Sequence, residues 1–398
     1  MESQILEYFS QFDFDVRKTG DARFMDQKCT PDVVCFIADC VINQINEDQE
    51  FCVNDIWESQ YFIKNTRAIF NKPYANNPKA RHEYDKFIQQ PLKMLSYAKV
   101  LKIEKRGATN YYRINNLDIL DYVAQRERNT FVFLNCYFYK VLSDSGQWRY
   151  FEEYIKAIKN NGTDKNAFKE LQQRFIRFMI GNTAINGSVE VRRIFPKILN
   201  VIAVANSING SRRGHISKYA YTFSDLMYNA TNWRDVDKAK TLTRQEAVEA
   251  DSDIEQQEAY SAYYVQKAIA LIKKLHTHSE VKDSWANGEA TQAHHIFPQS
   301  EFPQIAHYIE NLIKLTATQH YTKAHPGNKT KEINRDYQLT CLLAKADTID
   351  SSLKRFGETY YRKESFVYVI NVGLDMDMSS SLSFSDIKVE LIKIYNAA

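Results

Sequence analysis

A chain of 398 residues has room for two or three domains. With 44 % hydrophobic and 25 % charged residues it has the composition of an ordinary globular protein, and no stretch approaches the ~20 apolar residues of a membrane span. The net charge of +3 does not announce a nucleic-acid partner, and the six cysteines form no CxxC pair, which argues against a cysteine-built zinc site.

The start, Met1-Glu2-Ser3-Gln4-Ile5, lacks the basic and apolar runs of a signal peptide, so a reducing, cytoplasmic setting with free thiols is expected. Residues 1–30 read as a polar arm. Arg17, Lys18 and Arg23 suit DNA phosphates, and Asp26-Gln27-Lys28 matches the short D-x-K signature of one nuclease class, with Asp13 or Asp15 as the distal carboxylate. Thr30-Pro31-Asp32 opens a helix, with Thr30 as its cap and Asp32 near the positive end of the dipole. Val33, Val34, Phe36, Ile37, Cys40, Val41 and Ile45 give that helix its period. A second helix runs from Asn54 to about Phe70. A third covers 79–98, kinked or restarted at Pro91.

Val100 to Ile114 alternates like a hairpin that turns at Arg106-Gly107. Nine Lys or Arg against three acids lie between Lys79 and Arg113. Three helices followed by a basic-tipped hairpin resemble a winged helix-turn-helix domain, with Lys105 and Arg106 as DNA contacts.

Residues 131–170 are aromatic and helical and read as core or as an interdomain packing surface. From 171 to 218 the cations Arg174, Arg177, Arg192, Arg193, Lys197, Arg212, Arg213 and Lys218 face one acid, Glu190. Guanidinium forks, hydroxyls and glycines in Asn209–Lys218 suit phosphate oxygens, which makes Arg192, Arg193, Arg212, Arg213 and Lys218 further DNA candidates. The sign reverses at 245–258, where a hinge is plausible. A helix at about 257–276 follows. After residue 330 the pattern predicts a helix at 334–355, an extended apolar segment at 364–374 and an amphipathic helix at 384–396.

Between these helices lies Ala293-His294-His295-Ile296-Phe297-Pro298. Asn311 comes 16 residues after His295, and His320 nine after Asn311. Four of the nine histidines fall between 294 and 320. One neutral imidazole can bind a divalent ion, while a metal-free one takes a proton from water near neutral pH. An asparagine in the turn before the second strand can bridge backbone groups and hold both histidines in register. His307 reads as surface. His325, five residues past His320, would lie ~140° away around an ideal helix, which makes it the weaker ligand or a phosphate contact.

This order and spacing resemble the HNH, or ββα-metal, nuclease motif. With Asp21–Lys28, Val191-Arg192-Arg193-Ile194-Phe195 and Asn232-Trp233-Arg234-Asp235, the chain resembles bacterial type II restriction endonucleases. The resemblance implies His294 and His320 as metal ligands, His295 as general base, Asn311 as the residue that pins the hairpin, and Mg²⁺ as the ion. It implies double-stranded DNA as substrate. A dimer or sequential nicking would then be needed to cut both strands. The HNH helix would add Lys323 and His325 as DNA contacts. The expected architecture is α+β and multidomain, mostly helical, with a winged-helix-like domain at 1–130, a basic middle segment at 131–250 and the nuclease core at 251–398. The rivals are a structure-specific, nonspecific or RNA nuclease, a D-x-K nuclease centre, and a non-catalytic DNA-binding regulator.

Overall fold

Aromatic and aliphatic residues at helical spacing make the chain chiefly helical in the computed structural model, which describes residues 1–20, 22–70, 72, 75, 81–228, 254–325 and 334–397. Asp21, Lys79, Asn232-Trp233-Arg234-Asp235 and the acidic run up to Asp253 lie outside the described residues. The chain divides into two units, Met1–Asp253 and Ile254–Ala398, so the first two expected segments fall within one unit.

In the first unit, α1 (Glu2–Ser10) and the single turn α2 (Val16–Thr19) lead to α3 (Pro31–Gln44). Apolar residues from Val33 to Val41 cover every face of α3, and it is accordingly buried all round. Thr30 occupies the cap position without making a cap bond. The Asp32 carboxylate instead accepts the backbone N–H of Tyr228 at 2.8 and 3.0 Å. The expected second helix is two, α4 (Val53–Trp57) and α5 (Gln60–Phe70). The Ser59 hydroxyl accepts Phe62 N–H at 3.1 Å where the chain restarts. Helix α6 (Arg81–Tyr97) carries Pro91 in its interior without ending there. The hairpin β1 (Leu101–Arg106) and β2 (Thr109–Ile114) follows, turning at Gly107 with φ 61°.

Five helices then build the aromatic middle: α7 (Leu117–Gln125), α8 (Glu127–Asp144), α9 (Trp148–Asn161), α10 (Lys165–Asn182) and α11 (Ser188–Asn206). Phe151, Phe168 and Phe175 meet Phe195 of α11 with ring centroids 5.6–6.5 Å apart, in the tilted and edge-on arrangements that rings prefer. A second hairpin, β3 (Asn209–Arg212) and β4 (His215–Ala220), packs on α11.

The second unit begins with α12 (Ile254–Leu275). Its hairpin is β5 (Gln292–His295) and β6 (Leu312–Leu315), followed by a six-residue π-type turn, Gln319–Ala324. Three helices complete the core: α13 (Arg335–Phe356), α14 (Lys363–Leu374) and α15 (Phe384–Ala397). The segment 364–374, expected to be extended, is helical. Phe366, Val367, Val369 and Ile370 form a helical stripe that is buried in the core, which an alternating strand could not bury on one side. Phe297, just past β5, lies so close to α14 that any side chain at Gly373 would run into its ring. No described helix is long and apolar enough to cross a membrane.

Candidate metal centre

The strands β5 and β6 pair antiparallel, with His294 opposite Ile313 and His295 opposite Leu312. Neighbours on a strand face opposite ways, so the two histidines separate. His294 is buried and turns its ring toward the π-type turn. His295 is partly buried, and its Nε2 lies 3.0 Å from the carbonyl oxygen of Ala306. A carbonyl can only accept, so Nε2 carries the proton and Nδ1 keeps a lone pair.

Asn311 fixes the long connection between the strands. It is fully buried; its Oδ1 accepts Phe297 N–H at 2.9 Å, and its Nδ2 donates to Phe297 O at 3.0 Å and Ile305 O at 3.3 Å. One amide thereby closes the turn after His295 and positions the Ala306 segment.

The third part is the turn after β6. Gln319 is completely buried. Its Oε1 accepts Thr316 N–H and the Ser279 hydroxyl, and its Nε2 donates to Val281 O and Asp283 Oδ1. This anchors the residue before His320. His325 N–H then donates to His320 O at 3.1 Å, an i→i+5 bond. The ~140° separation that made His325 the weaker ligand candidate rested on an α-helical turn, and that bond replaces it with a π-type one. An α-helix would carry it ~140° round, whereas the wider π turn returns it to the same side.

The result is a triangle of imidazoles. Ring centroids lie 5.2 Å apart for His294–His320 and 4.9 Å for the pairs His294–His325 and His320–His325, with interplanar angles of 76–80°. One ring nitrogen from each falls within 4.8 Å of the others, and among the described residues this is the group that could hold a metal ion. Burial, then the neighbouring histidines, holds the His294 imidazolium well below its ordinary range. Burial, then His325, brings His320 to about 4. Both are therefore neutral at pH 7, as ligation requires. His320 Nδ1 is buried and has no hydrogen-bond partner. A polar atom left so in a built site asks for a ligand, and three ring nitrogens gathered from three neutral imidazoles fit a cation. Burial also lowers His295, offset by its bond to Ala306.

A buried polar network braces β6 from behind. Lys345, fully buried, donates to Glu280 at 2.9 Å, and Glu280 also accepts Lys314 N–H at 2.8 Å. The Tyr361 hydroxyl accepts from Lys345 at 3.3 Å and lies 2.8 Å from His276 Nε2. His307 is exposed, and Lys323 Nζ stands over the Trp285 ring at 4.7 Å.

The other sequence candidates lie in the first unit. Asp26 accepts from Arg23 and from Gln27 N–H, while Lys28 reaches the Tyr228 hydroxyl. Asp13 and Asp15 are ion-paired to Lys18 and Arg17. The D-x-K residues thus serve separate partners. Several nominated DNA contacts are also engaged. Arg23 pairs with Asp26 and Glu190, Arg106 with Glu50 and Glu104, and Arg192 donates to Gln172. Lys105, Arg193, Arg212, Arg213 and Lys218 are exposed and form no ion pair or side-chain hydrogen bond among the described residues.

Sequence reasoning missed the Ala306 carbonyl, the Gln319 anchor and the Lys345 network. The Ala306 contact leaves no side-chain signature. Gln319, adjacent to a nominated histidine, was the available signal. No family model, curated protein or solved structure matches this chain.

Proposed function

We propose that the chain is a metal-dependent HNH-type endonuclease that hydrolyses double-stranded DNA at specific sequences, in the manner of a type II restriction enzyme. The observation that carries this reading is the pairing, within one hairpin-and-turn unit, of the three-imidazole cluster with a separate histidine oriented by a backbone carbonyl. His294, His320 and His325 would hold the ion. When bound, it would draw charge from the scissile phosphate and the leaving oxygen. His295 Nδ1 takes the proton from a water molecule as the water oxygen attacks phosphorus in line. The P–O3′ bond breaks and the departing O3′ takes a proton from solvent water, leaving a 5′-phosphate and a 3′-hydroxyl. Asn311 keeps His295 at its post through Phe297 and Ile305.

The donor set refines the expected cofactor. Three imidazole nitrogens suit zinc, nickel or iron, whereas Mg²⁺ takes oxygen ligands. The reading therefore favours a first-row transition metal over the Mg²⁺ that the resemblance implied.

The test is cleavage of a defined plasmid by wild type and His295→Ala, with Mg²⁺, Mn²⁺, Ni²⁺ and Zn²⁺ compared. Discrete fragments that vanish in the variant support the reading. A smear moves it to a nonspecific nuclease, and unimpaired cutting by the variant overturns it. Sedimentation with and without DNA decides between a homodimer and sequential nicking.

A further inference from the structure

The hairpin β3–β4 is built more rigidly than a charged surface loop needs to be. Its turn, Arg213-Gly214, has φ 52° and 81°, the two left-handed residues of a tight hairpin turn. Asn200 of α11 clamps the ribbon at two points: its Oδ1 accepts Ser211 N–H at 2.6 Å and its Nδ2 donates to Ser211 O at 3.0 Å. Opposite, the pairing shifts register between Asn209 and Ser211. Asn209 Nδ2 donates to Ser217 O at 2.8 Å. The Ser217 hydroxyl accepts Gly210 N–H at 3.0 Å and donates to Tyr219 O at 2.7 Å. Gly210 is pressed against Asn200 and the Tyr221 ring, leaving no space for a side chain.

All of this buried polar matter holds one irregularity in place, and such a bulge re-aims the side chain beside it. The side chain so aimed is Tyr219, which is 82 % exposed, the highest exposure among the large hydrophobic residues described. The same hairpin carries Arg212 and Arg213 at its turn end and Lys218 next to Tyr219 in sequence, all three exposed and without ion-pair partners among the described residues. An apolar ring left in water inside a cationic ribbon is poor surface design for a protein with no partner there. It suits a polyanion whose bases present flat faces. The rigid clamp means that little conformational freedom remains to be lost on binding.

We propose that the β3–β4 ribbon docks on duplex DNA with Arg212, Arg213 and Lys218 on phosphates and the Tyr219 ring stacked into a partly opened base step. This rests on the endonuclease reading and goes beyond it. The ribbon deforms the duplex, so sequences that open easily, such as pyrimidine–purine steps, are preferred there.

The test uses full-length protein carrying His295→Ala, so that the DNA stays intact. A closed circular plasmid is relaxed by a topoisomerase with the protein bound, then stripped and run as topoisomers. The expected result is a shift in linking number that Tyr219→Ala removes and Tyr219→Phe retains. In gel retention, Tyr219→Ala weakens binding about fivefold or more with the salt slope unchanged, because stacking releases no counterions. Arg213→Ala lowers that slope by about 0.9. An unchanged thermal melt shows that the variants fold. If His295→Ala retains the plasmid but Tyr219→Ala leaves linking number and affinity unchanged, the stacking proposal is overturned while the endonuclease reading stands. If His295→Ala fails to retain duplex DNA at low salt, or retains only RNA, both fall.

Discussion

In the first unit five of the side chains nominated for a partner stand exposed and unpaired among the described residues, Lys105 at a hairpin tip, Arg193 on α11, and Arg212, Arg213 and Lys218 on β3–β4, while Arg23, Arg106 and Arg192 are engaged by neighbours. In the second, the side chains nominated for chemistry are drawn beneath the surface until three ring nitrogens lie within 4.8 Å of one another. The difference is the one the two proposed tasks would need. Attraction to a phosphate chain works through solvent and tolerates dispersal, so the cations stay charged and wet. Ligation and proton abstraction need neutral nitrogen at contact distance, and burial supplies it by expelling protons from His294, His295 and His320.

The contrast breaks most visibly at the triangle. His320→Ala and His325→Ala are each expected to lower cleavage at least a hundredfold and to abolish saturable uptake of Ni²⁺ or Zn²⁺ in calorimetry, with DNA retention changed less than twofold. Equal loss of binding and cleavage would overturn the proposed division of labour between the units. Normal metal uptake by His325→Ala would return that residue to the margin, where its five-residue spacing first put it.

Lys345→Met sharpens the same contrast from the side of stability. It strands the Glu280 carboxylate in the core behind β6, and removing one partner of a buried pair costs about 3–5 kcal/mol. Denaturant unfolding should show that loss, and Glu280→Gln added to Lys345→Met should recover part of it. A loss below ~1 kcal/mol would mean that water reaches the pair.

What was legible in the sequence divides along physical lines. Helices with strong apolar periods, such as 384–396, and the pairing of His294 and His295 with a strand past Asn311 follow from local pattern. The helix at 363–374 did not, because a short apolar run lacks the length to separate strand from helix and only the core around Phe297 decides it. His325 was underrated because the α-helical period was assumed where a π turn occurs. That turn depends on Gln319 reaching Ser279, Val281 and Asp283, contacts some 36–40 residues away that spacing cannot reveal. Among the cations, sequence showed charge but not partners. It could not tell that Arg106 is spent on Glu50 while Lys105 has no partner among the described residues.

Proton linkage offers a gentler probe of the two environments. In the first unit, burial raises Asp32 to about 6. A carboxyl whose folded value lies above its unfolded one contributes stability that is full below pH 3.8 and lost as pH rises through about 6. A shift of this size corresponds to about 3 kcal/mol. In the second unit, burial lowers His276, which faces Tyr361, Glu280, Lys345 and Lys314, so its contribution is present above 6.5 and lost on acidification. Stability followed from pH 4 to 7 should therefore fall less steeply with rising pH in Asp32→Asn than in wild type. Parallel curves would show that Asp32 is solvated.

The smallest effect separates two neighbouring residues that sequence treats alike. Arg106 lies between Glu50 at 2.7 Å and Glu104 at 2.7 Å, so its charge is already answered and a phosphate would have to displace a carboxylate to use it. Lys105, one residue earlier and exposed, carries no such bond among the described residues. If the first hairpin touches DNA, Lys105→Ala should reduce the slope of log affinity against log salt by about 0.9, as expected for one lost phosphate contact, and Arg106→Ala by distinctly less. The glutamates supply the internal check, since Glu50→Gln should raise affinity at low salt by unmasking Arg106 and Arg113, which both pair with it. Equal slopes for the two cation variants would mean that the Glu50 pair opens freely in water, as exposed ion pairs do when solvent screens them. In that case charge count alone, rather than partnering, would govern how this unit meets a polyanion.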